Sequence, residues 1–271
     1  MAGSRPSLSA MPWLDCHDYE AVLASLAEAI GATPSELATA LGEYEESRLE
    51  NTAEDPWELM PREVLARFHA GVETVADRFD GAYYFHGTRA IDPDAFRVRG
   101  ILPLDQMVEE LWATLRELAG NDVTDAEWHN LHSSVEGGAD GHSGTLYRMK
   151  TGGRIHHGPF AVVVRETFLD PASTGSHDYL GCPEIVQDIA ACYASAHGGN
   201  LKQRFCAVAK PCIVKLRSTQ LRPGAIAAAL WYAYTKVRDG EITSSANYSF
   251  DGEGEPVPAG DVEGVEIVTR I

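Results

Sequence analysis

His86, Gly87, Thr88 and Arg89 form the polar end of an otherwise aromatic run, Ala82-Tyr83-Tyr84-Phe85. An imidazole and a hydroxyl at a strand end can both face a cleft, and a glycine between them lets a ligand approach the backbone. A second stretch, Phe250-Asp251-Gly252-Glu253-Gly254-Glu255-Pro256-Val257-Pro258, carries two carboxylates two positions apart. In an extended chain Glu253 and Glu255 project to the same face. There they can stabilise a developing cation or take a proton. A third stretch, Leu146 to Gly158, holds Arg148, Lys150, Arg154, His156 and His157 with no acid among them. Arg148, Lys150 or Arg154 can meet a pyrophosphate, and Gly152-Gly153 lets backbone N–H groups approach it.

Strands and helices must position these groups. The run through Phe85 has strand composition and Gly87 is expected to end it. Asp92-Pro93 predicts the start of a short helix, and Gly100 its C-terminal glycine. Upstream, apolar residues at 19, 22, 23, 26 and 30 have helical spacing. Thr33-Pro34-Ser35-Glu36 reads as a capping box, and Pro61 as the start of a third helix. Residues 16–80 are therefore expected as a helical appendage, preceded by a flexible tail over 1–15. The acidic outer residues Glu43, Glu45, Glu46 and Glu50 fit a solvated face.

Helices are also predicted over Met107–Leu118 and from Thr124, as a helical insertion at 105–135, followed by a flexible loop at 136–145. Strands are predicted at 82–87, 160–164, 212–216 and 265–269, a helix from Pro183 to about Ala196, and a mostly apolar, buried helix from Pro223. The mixed order without regular βαβ alternation gives an α+β class.

Composition narrows the partners. The chain has 271 residues, 44% hydrophobic, and a formal charge of −18. So acidic a chain is not built for generic nucleic-acid binding, which phosphate attraction dominates. Any anionic ligand must be met by a local basic patch. Five cysteines without a close Cys-x-x-Cys pair fit reduced thiols in a cytoplasm. No apolar run is long enough to span a bilayer, and Met1 to Ser9 lacks a signal-peptide apolar core.

The aromatic strand ending in His86-Gly87-Thr88, the short helix behind it and Gly100-Ile101 together resemble the first signature of the ADP-ribosyltransferase superfamily, which includes poly-ADP-ribose polymerases and RNA 2′-phosphotransferases. The late Glu253-Gly-Glu255 before Val257-Pro258 looks like the catalytic Glu-x-Glu of that family. The resemblance implies a split-sheet ADP-ribosyltransferase-like core over 81–271 that uses NAD as co-substrate and modifies an unidentified acceptor. It implies that His86 and Gly87 hold the nicotinamide ribose, with Thr88 and Arg89 beside them. Glu255 or Glu253 would stabilise the oxocarbenium-like cation. A tyrosine would stack on nicotinamide, with Tyr147 favoured over Tyr179 and Tyr193. Arg148 and Arg154 would meet the pyrophosphate.

Other readings stay open. Ser176-His177-Asp178-Tyr179 and Cys182-Pro183-Glu184 gather polar groups before a helix. There Asp178 or Glu184 can simply stabilise the helix dipole, or Glu184 can replace Glu255 as the catalytic acid. His129-Asn-Leu-His132 can share a metal, but without His-Glu-x-x-His or a zinc cysteine pattern no metal site is expected. Gly-x-Ser-x-Gly, Gly-x-Gly-x-x-Gly and P-loop motifs are absent. A degenerate transferase-like fold acting as an acidic interaction module, and an RNA 2′-phosphotransferase, are the alternatives.

Overall fold

The computed structural model describes residues 11–45, 55–138, 141–153 and 156–269. The expectations for residues 1–10, Glu46, Glu50 and Arg154 lie outside the described residues. The chain divides into two compact units, one of 1–84, 163–174 and 217–248, the other of 85–162, 175–216 and 249–271. The described residues form a mixed α/β fold with a largely antiparallel sheet.

The first unit is mainly helical: α1 (Tyr19–Ile30), α2 (Pro34–Gly42), α3 (Pro56–Ala66) and α4 (Val72–Ala76). Asp18 caps α1, and the Thr33–Glu36 capping box starts α2 as its sequence predicts. Pro61 lies inside α3, not at its start; Asp55 caps that helix by accepting from the Trp57 amide. These helices surround the apolar helix from Pro223 to Val237, whose residues 225–234 are all buried. The helices of 16–80 therefore share their unit with a late segment of the chain. Residues 11–15 carry a short strand, β1 (Trp13–Leu14), where a flexible tail was expected. Its register, Trp13↔Gly81 and Leu14↔Ala82, is parallel to the start of the next strand, β2 (Gly81–Ala90), and Cys16 bridges Val164.

In the second unit the sheet runs in the order β5 (Ser249–Asp251), β3 (Phe160–Val162), β2, β4 (Lys210–Ser218), β6 (Val262–Ile267). The predicted strands are all present. β2, however, continues through Gly87 to Ala90. It is the middle strand of the sheet, and its ladder carries it past the glycine.

Between β2 and β3 lie α5 (Ala95–Arg99), α6 (Leu104–Ala119), α7 (Asp125–Gly137) and α8 (Gly141–Thr151). The expected loop at 136–145 is thus mostly helix. After β3 come the short α9 (Pro171–Thr174), in the first unit, and then α10 (Glu184–His197) and α11 (Leu201–Val208). Helix α12 is Pro223–Val237. Trp112, Leu115, Trp128, Leu131, Tyr147, Ile189, Tyr193 and Phe205 make one core that joins α6, α7, α8, α10 and α11.

Candidate functional site

His86 sits on the central strand one residue past the Phe85↔Val162 pair. Its Nδ1 lies 2.7 Å from the Phe160 carbonyl oxygen. A carbonyl only accepts, so Nδ1 carries the proton and Nε2 is left as an acceptor. Phe96 of α5 packs edge-on to the imidazole, ring centroids 6.4 Å apart. The ring keeps partial solvent contact, yet protein closely surrounds it, and that desolvation lowers its pKa below the ordinary histidine value. His86 is therefore a neutral, oriented hydrogen-bond acceptor near neutral pH. Gly87 is buried and Thr88 half-buried beside it.

The second stretch is held against the same segment. The Gly254 amide donates to the Gly158 carbonyl (2.7 Å), and the Gly252 amide to the Pro159 carbonyl (3.0 Å). Three successive carbonyls, 158 to 160, thus tie the acidic turn and His86 to one piece of backbone. A second tie joins the far ends of the two motifs. Ile101 and Val257 form an isolated antiparallel bridge, exchanging N–H···O bonds of 2.9 Å in both directions. Gly100 makes that approach possible, since a Cβ there would lie 2.0 Å from the Val257 oxygen.

Glu253 is not extended, so the stretch does not run as the extended chain that would put both carboxylates on one face. Glu253 has φ +56° and Gly254 φ +79°, so the chain turns tightly after β5. The Glu253 amide donates to Asp251 Oδ1 at 2.8 Å, which fixes the turn. Both glutamate side chains are exposed. The Glu-Gly-Glu spacing that in an extended chain would put both carboxylates on one face sits instead in a left-handed turn at Glu253 and Gly254.

Two predicted ligand contacts are corrected. Tyr147 is 2% exposed and its hydroxyl accepts from Trp112 Nε1 at 3.0 Å, so it belongs to the core of α8 and cannot stack on a ligand. Arg89 is committed to the backbone. Its Nε and Nη2 donate to the Ala209 carbonyl (3.0 and 2.7 Å), Nη2 also to Cys206 (2.7 Å), and Nη1 to Leu180 (2.8 Å). The guanidinium closes the C-terminal end of α11 and pins the loop before α10 to β2.

The basic stretch is also reshaped. Arg148 is exposed on α8, its guanidinium packed where a side chain on Gly138 would lie. Lys150 pairs with the buried Asp188 of α10 at 2.6 Å. Of the tyrosines considered, Tyr193 is buried. Tyr179 stays half-buried, edge-on to His177 at 4.8 Å, its pKa pushed up to about 12 by burial and by the Glu184 carboxylate. It immediately precedes Leu180, whose carbonyl Arg89 holds. Glu184 is the first residue of α10, 3.7 Å from His177 Nδ1, consistent with dipole stabilisation. What sequence reasoning missed was the packing of Phe96 on His86 and the Ile101–Val257 bridge. The apolar flank after each motif was the available signal. Comparison with family models, with curated proteins and with solved structures gives no match.

Proposed function

We propose that the chain is an NAD-dependent transferase that moves ADP-ribose from NAD to an acceptor, with a split-sheet ADP-ribosyltransferase-like core around β2. The observation that carries this reading is the pairing of the two motif stretches: Ile101 bridges Val257, and His86 and the Glu253–Glu255 turn share the 158–160 backbone. In this reading the neutral His86 accepts from a ribose hydroxyl through Nε2 and fixes the sugar. The bond from ribose C1′ to the nicotinamide nitrogen breaks, and nicotinamide leaves neutral with the bonding pair. The cation at C1′ is stabilised by Glu253 or Glu255. An acceptor oxygen or nitrogen then bonds to C1′, and its proton passes to the carboxylate or to water. With Tyr147 buried, Tyr179 is the tyrosine left to stack on nicotinamide. Exposure of both glutamates favours a second reading, an acidic surface that docks a basic partner without catalysis.

Single-turnover release of nicotinamide from NAD by the full chain separates the two. Replacing the operative glutamate by Gln is expected to slow release about 10²–10³-fold, with NAD affinity changing far less. His86→Ala is expected to weaken both. If the wild-type chain neither binds NAD nor releases nicotinamide, or if Glu253→Gln and Glu255→Gln both keep wild-type rates, the transferase reading falls.

A further inference from the structure

Helices α6 and α7 bring three metal-ligating side chains to one point. His132 Nε2 lies 3.4 Å from Glu136 Oε1 and 3.8 Å from Glu109 Oε1. One ligand atom from each of the three residues falls within 4.8 Å of the other two. The imidazole stacks on Trp112 of α6, ring centroids 4.2 Å apart and planes 29° apart, so its direction is fixed by the core. Its Nε2 is buried and has no hydrogen-bond partner, although it faces two carboxylates. An ordinary charged hydrogen bond would draw a nitrogen and a carboxylate oxygen to about 2.7–2.9 Å. The gaps here are wider, and the 3.4 Å one matches another occupant, with the Glu109 oxygen a few tenths of an ångström further out. Two donors each about 2.1 Å from a tetrahedral ion lie about 3.4 Å apart.

We propose that Glu109, His132 and Glu136 form a site for a first-row divalent transition metal of the Zn²⁺ class. His132 and Glu136 are four apart on one helix face, a spacing that lets both reach one ion. Imidazole nitrogen selects this class over Mg²⁺ and Ca²⁺, which take oxygen ligands. Two carboxylates balance the ion's charge. The exposure of both glutamates leaves the remaining coordination positions open to water or to a ligand. The ion joins the α6–α7 hairpin at a point separate from the Arg116–Asp125 pair (2.8 Å). None of these residues belongs to the proposed NAD site, so the two proposals stand or fall independently.

Titration of the untagged, metal-stripped full chain with Zn²⁺, followed by calorimetry, tests the site. One Zn²⁺ per chain is expected, and excess Mg²⁺ should not compete. Glu109→Gln and Glu136→Gln should each weaken binding at least tenfold, while Glu117→Gln on the same helix should leave it unchanged. His132→Gln should abolish it. Because His132 also packs on Trp112, the two glutamate variants decide the matter if that chain fails to fold. Co²⁺ substituted for Zn²⁺ should give visible d–d absorption that is lost in the same variants. No binding up to about 1,000 times a micromolar dissociation constant, or undiminished binding in the Glu109→Gln/Glu136→Gln double variant, overturns the proposal.

Discussion

Arg89 offers the sharpest test of what the first motif does. In sequence it belongs to the ligand-binding stretch; in the structure its guanidinium makes four hydrogen bonds to three backbone carbonyls. Hydrogen bonds from a charged donor contribute about 1.5–3 kcal/mol each. Four would sum to more than any single truncation costs, but the site is only half-buried and water can replace some donors. Arg89→Ala is therefore expected to destabilise the second unit by about 2–4 kcal/mol. Arg89→Lys should recover little, because a point charge on a flexible stem cannot reach Leu180, Cys206 and Ala209 together. Urea unfolding followed by circular dichroism measures the loss. If the two units unfold separately, it should fall on the transition of the second. Native-state hydrogen exchange should show the lowered protection concentrated in α11 and the loop at 176–182. An unchanged transition, or a weakened NAD affinity at full stability, would refute the assignment and return Arg89 to the ligand.

Two further outcomes follow from the same region. Gly100→Ala places a Cβ 2.0 Å from the Val257 oxygen at a φ of +77°, so about 2–3 kcal/mol of stability should be lost by thermal melting; Gly260→Ala, with nothing near its Cβ, should cost far less. Burial lowers the pKa of His86 below the ordinary 6.5. Between the two values the unfolded chain binds a proton that the folded chain does not, so stability falls as pH drops through 6.5 and levels off below the folded pKa. His86→Asn should flatten that dependence when denaturation is compared at about pH 5 and pH 7.5; an identical slope in the variant would show that another group is responsible.

Local signals carried much of the architecture. The aromatic run into His86, the capping box at Thr33 and the apolar stretch from Pro223 each state their element within a few residues, and each element formed. Where local and tertiary preferences compete, sequence reasoning failed. Residues 136–145 read as loop, yet α8 is helical because Tyr147 is drawn into the core and Lys150 into a pair with Asp188. Pro61 reads as a helix start, but the Asp55 cap lies one turn and more before it and the helix runs through. At the site, residue types were legible and their geometry was not. That Tyr147 points inward and that Arg89 serves carbonyls depend on partners far away in sequence, whereas the left-handed turn at Glu253 is held locally by Asp251.

The Ile101–Val257 bridge also sets when the site can exist. The two partners are 156 residues apart, and the acidic turn immediately precedes the later one. At a synthesis rate of about 5–20 residues per second, His86 emerges from the ribosome about 9–34 s before Val257. Throughout that interval Ile101 lacks its backbone partner, and β2 waits for β3, β4 and β5 to flank and extend its sheet. A nascent chain therefore carries the imidazole without the carboxylates. The two motif stretches are joined only once Val257 has emerged, and a chain cut short before Val257 keeps the first motif without its bridge.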